Sequence, residues 1–262
     1  MFQPPAELRR AIRTGEFTAP TAGHCPGFVQ TNLVIVPQAY ADEFAEFCRL
    51  NPRPCPLVCR TAPGSWEPSA APEADLRTDV PRYRVFRHGV AEAVEPTDVR
   101  SLWRDDFVGF LLGCSFTFEA ALTSAGLPVR HIEEGRNVPM FRTSLPCAAA
   151  GRFAGPLVVS MRPYRAEQVA AVREVTGRYP AMHGAPIHVG DPAALGIADL
   201  QRPDFGETVT IHDDETPVFW ACGVTPQLAL LAAKPEIAVT HSPGCMFVTD
   251  LRDEQFQSLP EV

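Results

Sequence analysis

The chain has 262 residues, enough for a hydrophobic core without disulfide or metal staples. Hydrophobic residues make up 45% and charged residues 21%, which excludes a disordered chain. The net charge of -8 speaks against the phosphate grip of a nucleic-acid binder, and no apolar run approaches the roughly 18 residues of a membrane span.

Three counts depart from the average: 27 prolines, eight cysteines, and a single lysine, Lys234, among 23 basic residues. A GC-rich genome is the simplest source of the arginine excess. Its chemical consequence is that a fixed positive charge in a site is arginine, and Schiff-base chemistry would rest on Lys234 alone. The N-terminal stretch, with Pro4, Pro5 and charges from Glu7 to Arg13, has no apolar signal region, so a cytoplasmic location is expected. The cysteines are irregularly spaced, without a C-x-x-C pair, and read as reduced thiols.

In chain order, Ala6 to Thr14 reads as a short helix and Gly23-His24-Cys25-Pro26-Gly27 as a loop. Thr31 to Pro37 is a β-rich apolar run, and Tyr40 to Leu50 carries Phe44, Phe47 and Cys48 at helical spacing. Pro56 to Arg60 reads as a strand. The stretch from Ala62 to Val80 reads as a long loop, of the kind that is functional or mobile. Arg82 to Phe86 alternates as a strand. Leu102 to Leu112 is apolar and breaks at Gly113-Cys114-Ser115, before a helix from Phe118 to Ser124. Pro128 to Ile132 reads as a short strand leading into a polar loop. Pro156 to Met161, Ala166 to Val175 and Pro186 to Val189 read as a β-α-β unit. Thr208 to His212 and Pro217 to Ala221 read as strands, Pro226 to Ala233 as a helix, and Ile237 to Thr240 and Cys245 to Thr249 as the last strands. The class is α/β, mixed α+β.

The candidate chemistry sits beside glycine and proline, where the backbone can approach a ligand. Cys114 and Ser115 stand at a helix start, which suits an anion or oxyanion and lowers a thiol pKa; the competing reading is a helix cap and a buried thiol. His131, Glu134, Arg136 and Asn137 share one loop, where arginine can clamp a carboxylate and His or Glu can move protons, or a solvated turn can hold surface ion pairs. His183, His188 and Asp191 surround a short strand at a spacing that fits no standard zinc pattern. Cys222, His241 and Cys245 lie at strand–helix or strand–turn junctions, where ligands bind in α/β sheets, while buried free cysteines more often act as small hydrophobes. The P-loop, Rossmann, G-x-S-x-G and H-E-x-x-H patterns are absent.

A series of segments in order resembles the D-glutamate cyclase family, whose bacterial members go by the name of hydro-lyases. It runs through Thr31-Asn32-Leu33-Val34-Ile35, Pro63 to Pro68, Asp75 to Asp79, Gly113-Cys114-Ser115-Phe116, Arg130 to Met140, Val159 to Pro163, His183 to Pro186, Gly190-Asp191-Pro192, Trp220 to Pro226 and His241 to Asp250. The resemblance implies two intertwined αβ domains. A three-layer domain with a mixed sheet (1–145 with 215–262) would hold a smaller two-layer domain (146–214). It also implies a carbon–oxygen lyase converting D-glutamate to 5-oxo-D-proline and water, with no cofactor.

For such a cyclisation, Arg136 and Arg162 would hold carboxylates, His183 or His131 act as base, Glu134 as acid, and N–H groups near Cys114 and Ser115 hold the oxyanion. Asn137, His188, Asp191, Cys222, His241 and Cys245 would complete the binding surface. A thioester through Cys114 is the covalent alternative. A hydro-lyase for another small hydroxy acid, or a carboxylate-binding regulatory protein, remain as other readings. The expected partner is a small carboxylate, with neither nucleic acid nor membrane; a homodimer is the one protein assembly left open.

Overall fold

The computed structural model describes Phe2 and residues 4–257. The chain opens with α1 (Pro5–Arg13), which buries Leu8, Ala11 and Ile12. Arg9 of this helix is also buried, and its guanidinium donates to both carboxylate oxygens of Asp250 at 3.0 Å, clasping the helix to the end of the fold.

The first sheet has β1 (Phe28–Pro37) at its centre. After α2 (Gln38–Leu50) come β2 (Leu57–Arg60), β3 (Tyr83–Arg87), β4 (Val90–Ala91) and β5 (Phe107–Gly113). The order is β2-β5-β1-β10-β3-β4, completed from the C-terminal end by β10 (Ala238–His241), with β11 (Phe247–Arg252) also on β1. β1 pairs with β5 from Thr31 to Pro37. Its other edge is shared, Gln30 and Thr31 facing β11 and Val34 and Ile35 facing β10. Every pairing among the described residues is antiparallel, where a mixed sheet was expected.

Burial on both faces explains the unbroken apolar run of β1, since alternate residues feed different cores. Val34 and Val36 pack with Phe44 and Phe47 of α2 and with Leu230 further along the chain. Leu33 and Ile35 pack with Ala70, Ala71, Leu76 and Val80. The stretch from Ala62 to Val80 is therefore a packed layer over the sheet rather than a mobile loop. Arg13 pins it by a 2.6 Å ion pair to the fully buried Asp79, and Arg77 lies 3.8 Å from the Trp66 ring centroid.

From β5 the chain enters α3 (Phe116–Ser124) and then one turn, α4 (Arg130–Glu133), where the sequence suggested a strand. The second sheet follows: β6 (Met140–Pro146), β7 (Pro156–Arg165), α5 (Val169–Gly177), β8 (His188–Val189) and β9 (Glu215–Ala221), in the order β6-β7-β9-β8, again antiparallel. Its strands lie within residues 140–221. The β7-α5-β8 run exists, but β9 lies between the two strands, so the unit is split. Thr208 to His212, expected as a strand, is coil. The chain then runs through α6 (Thr225–Ala233) back to the first sheet.

One face of the second sheet packs Tyr164, Val218 and Trp220 against Phe118 and Leu122 of α3 and Val172 of α5. Val29 of β1 joins the same cluster, so α3 is wedged between the two sheets. Among the described residues no helix is long and apolar enough to cross a membrane.

Candidate active site between the two sheets

α3 carries one charge in an otherwise uncharged sequence, Glu119, and the wedge buries it to 3% exposure. A carboxylate can sit there only with a partner. Arg162, on the face of β7 that meets α3, supplies it through a direct contact of its Nη2 with Glu119 Oε1. The same guanidinium donates to Ser115 Oγ at 3.1 Å and to Ser160 Oγ at 3.2 Å, and lies 5.3 Å from the Trp220 ring centroid. His131 of α4 stacks on Phe116 and brings Nε2 to 3.0 Å from Glu119 Oε1, off hydrogen-bond direction. Burial pushes the Glu119 pKa up, but His131 and Arg162 outweigh it, so the carboxyl stays ionised below its ordinary range. Ser115 does not cap α3 with its side chain; its hydroxyl is the acceptor for Arg162.

Two strand-to-helix junctions meet beside this ionic core, Gly113-Cys114-Ser115 and Cys222-Gly223-Val224. Asn32 of β1 lies against both. Its Nδ2 donates to Gly113 O at 2.8 Å, and a Cβ on Gly223 would fall 2.0 Å from that amide nitrogen. Glycine at 223 is what admits the approach. Cys114 and Cys222 are both buried there. Burial raises the Cys114 pKa well above its ordinary value and that of Cys222 to about 11, overriding the backbone N–H groups and the Arg162 charge that pull the other way. The lowered thiol pKa expected for Cys114 is thus reversed, because the helix start is closed to water.

A polar pocket of about 360 Å³ opens where the loops of the first sheet meet the Asp204–Glu207 segment of the second. Arg84 of β3 and Arg82, the residue just before that strand, line it, with Glu95, Asn137, Ser242, Cys245, Asp204 and Glu207. Arg84 Nε lies 3.0 Å from Glu95 Oε1, and Ser242 Oγ donates to Glu95 Oε2 at 2.8 Å. Arg82 Nε donates to Thr18 O, and its side chain also acts on the Cys245 thiol. The Asn137 N–H donates to Glu207 at 3.0 Å, its Nδ2 donates to Pro243 O, and its Oδ1 is buried without a partner. Burial pushes the Cys245 thiol up to about 11, so it faces the pocket protonated.

The remaining expected residues are not among the lining of the polar pocket, although His183 feels the charge of Arg162 and His241 that of Arg84. Arg136 is exposed, and its guanidinium contacts Thr208 O and, at 3.6 Å, Glu134. Glu134 accepts from the Thr210 N–H at 3.1 Å; burial raises its pKa, but Thr210, Arg136 and Arg130 bring it below the usual range, the opposite of what an acid catalyst needs. His188 Nε2 sits 2.8 Å from the Asp191 carbonyl, and the Asp191 carboxylate accepts from the Ala193 N–H at 2.9 Å. Both are turn-forming contacts, and among the described residues no three His, Cys, Asp or Glu side chains gather as a metal set. His183 is buried with Nδ1 2.6 Å from Arg53 O, and His241 places Nδ1 3.2 Å from Leu33 N and O. Burial lowers both imidazoles to about 4.

The sequence reading missed Asn32 as a contact residue, and also Glu119, Arg82, Arg84, Glu95, Asp204 and Glu207. Two signals were available: Glu119 is the sole charge on an apolar helix, and Arg82 and Arg84 alternate with the buried Tyr83 and Val85. Glu95, Asp204 and Glu207 come from irregular loops, where no periodicity marks them.

The chain matches the model of the D-glutamate cyclase family over residues 108–250. A Bacillus licheniformis protein named "Putative hydro-lyase" is 59% identical over 253 residues, 96% of each chain. Proteins of the same name from Geobacillus kaustophilus (58% over 250 residues, 95% of each chain) and Rubrobacter xylanophilus (59% over 253 residues, 96% of this chain and 97% of that one) are similarly alike. Among solved structures, a nitrogen repressor-like protein from Methanococcus jannaschii aligns over 94% of this chain and 98% of its own, at 8% identity and a TM-score of 0.36, too slight a likeness to carry fold or function. At the identity and coverage of its sequence relatives, the chain belongs to the D-glutamate cyclase family.

Proposed function

We propose that the chain is a carbon–oxygen lyase for a small amino or hydroxy carboxylate, and that its reaction is the dehydrative cyclisation of D-glutamate to 5-oxo-D-proline in the polar pocket. The observation that carries this reading is that Arg82, Arg84, Glu95, Asp204 and Glu207 line one opening. A substrate with two carboxylates and an ammonium needs that mixture of charges. The family and the hydro-lyase names of its relatives point the same way.

In the reaction the amine attacks the γ-carboxyl carbon, a C–N bond forms, and a C–O bond breaks. The two protons that the ammonium gives up end on the departing oxygen as water, so no net acid or base is consumed. The pocket's part is to bend the substrate, relay those protons and hold the oxyanion. Arg82 and Arg84 take the carboxylates, and Glu207 or Asp204 relays the protons. Arg162 is committed to Glu119 and the two serines and is not among the pocket's lining residues.

Incubation with D-glutamate, followed by chromatography for 5-oxoproline, tests the reaction. Arg82→Met is expected to raise KM about 10- to 100-fold, the loss of roughly 1.5–3 kcal/mol from one charge-assisted contact. Absence of 5-oxoproline from D-glutamate would overturn the cyclisation, and an unchanged KM in Arg82→Met would remove the pocket.

A further inference from the structure

The charged groups around the polar pocket are unequally engaged. Glu95 has both oxygens occupied, Oε1 by Arg84 Nε at 3.0 Å and Oε2 by the Ser242 hydroxyl at 2.8 Å. Asp204 is held by an arginine outside the lining: its Oδ2 accepts from the Arg142 N–H at 2.8 Å, and its Oδ1 lies 3.5 Å from Arg142 Nε. Two lining groups are left without a countercharge. Among the described residues, neither Arg82 nor Glu207 forms an ion pair. Glu207 is exposed, yet its carboxylate is fixed. Its N–H donates to Asn137 O at 3.1 Å, and the Asn137 N–H donates back to its Oε2 at 3.0 Å. Beside it, Phe205 and Met140 exchange backbone hydrogen bonds in both directions, and a Cβ on Gly206 would fall 2.0 Å from Val138 O. Glycine at 206 is what lets the segment lie this close to the residues leading into β6. One oxygen of Glu207 is thus anchored by backbone, and among the described residues the other has no hydrogen-bond partner.

One unmatched cation and one unmatched, oriented carboxylate in the same opening suit a zwitterion. An amino acid brings a carboxylate for Arg82 and an ammonium for Glu207. A hydroxy acid of the same shape brings only a neutral donor, and it sets a second anion near Glu207 with no cation between them. Hydrogen bonds between charged partners are roughly twice as strong as neutral ones. On the reading of this pocket as the lyase site, we infer that Glu207 is its specificity-determining residue. Its Oε1 accepts from the substrate ammonium, and this contact selects an amino over a hydroxy dicarboxylate. Asp204, already paired with Arg142, does not share that role.

The probes are D-aspartate, D-malate and succinate, which differ only in bearing an ammonium, a hydroxyl or neither. D-Aspartate is too short to close a five-membered lactam, so it reports binding without cyclisation. Each is titrated by calorimetry into the full chain and into Glu207→Gln, which keeps an acceptor for the Asn137 N–H. The wild-type chain is expected to bind D-aspartate at least about 10-fold tighter than the other two. Glu207→Gln should weaken D-aspartate about 10- to 100-fold and leave D-malate and succinate unchanged or tighter, since the anion near them is gone. Equal binding of the three by the wild-type chain, binding of none, or a preference for D-malate or succinate would overturn the assignment, and these hold even if the variant does not fold. An equal loss of all three in Glu207→Gln, the mark of a merely structural role, would overturn it too. A retained preference for D-aspartate with no 5-oxoproline from D-glutamate would keep Glu207 as the ammonium site and remove the cyclisation; 5-oxoproline without the preference would do the reverse.

Discussion

Arg162→Met removes the guanidinium opposite Glu119 and leaves a long apolar side chain under Trp220 and Phe118. At neutral pH the variant must bury the Glu119 carboxylate without the arginine countercharge. Breaking one side of a buried ion pair costs about 3–5 kcal/mol. For a chain of this size that corresponds to a fall in Tm of roughly 6–20 °C. The double variant Glu119→Gln/Arg162→Met has no charge to strand and should recover at least half of the loss.

The pH dependence sharpens the prediction. Glu119 is held below its ordinary value of 4.5 in the fold, so its stabilisation is present above that value and is lost as pH falls through the folded pKa. Without Arg162 the carboxyl protonates more easily, and the single variant's deficit should shrink on acidification. Urea unfolding followed by tryptophan fluorescence at pH 7.5 and pH 5 gives both quantities, with Trp220 reporting from beside the substitution. A single-variant loss below about 1 kcal/mol, or a double variant no better than the single, would refute the ion-pair account.

His183 and His241 stay neutral in the fold, near 4, against an ordinary 6.5. Above 6.5 they contribute no pH dependence. Between 6.5 and 4 the unfolded chain takes the protons first, and stability falls by up to about 3 kcal/mol for each; a urea midpoint that is flat across this range, or unaltered in slope by His241→Gln, would contradict it. Thiol titration with a disulfide reagent should show one fast group in the native protein, since Cys147 alone among the eight is not fully buried, and all eight in denaturant; rapid labelling of Cys114 would contradict its enclosure. Gly223→Ala puts a methyl against the Asn32 amide and should cost roughly 1–3 kcal/mol, with Asn32→Ala returning part of it in a double-mutant cycle.

Strands and helices that bury one face or two were legible because their periodicity survives in the residues. β1, α2, β7 and α6 appear in the sequence near their true bounds. What hid the rest was burial without period. The coil from Ala62 to Val80 uses small residues, Ala70, Ala71 and Ala74, as a core layer, and a proline- and alanine-rich stretch reads the same whether packed or solvated. Val129-Arg130-His131-Ile132 looks β-prone locally, yet the Glu119 pairing draws His131 inward on a helical turn. Arg162 is marked by its place in a motif segment, but its partner Glu119 is not. A single sequence marks a buried charge and leaves its counterion to the fold.

The nested order of the two sheets has a consequence during synthesis. β1, the centre of the first sheet, has β5 beside it early, but its other edge waits for β10 and β11, and β3 can join only through β10. All four strands of the second sheet are made in that interval. At about 5–20 residues per second on the ribosome, the apolar open edge of β1 stays unpaired for roughly 10–40 seconds, and the second sheet closes meanwhile. The C-terminal strands are thus a late-arriving seal, and a chain stopped before Ala238 would carry a finished second sheet beside an unsealed first one, a natural substrate for chaperones.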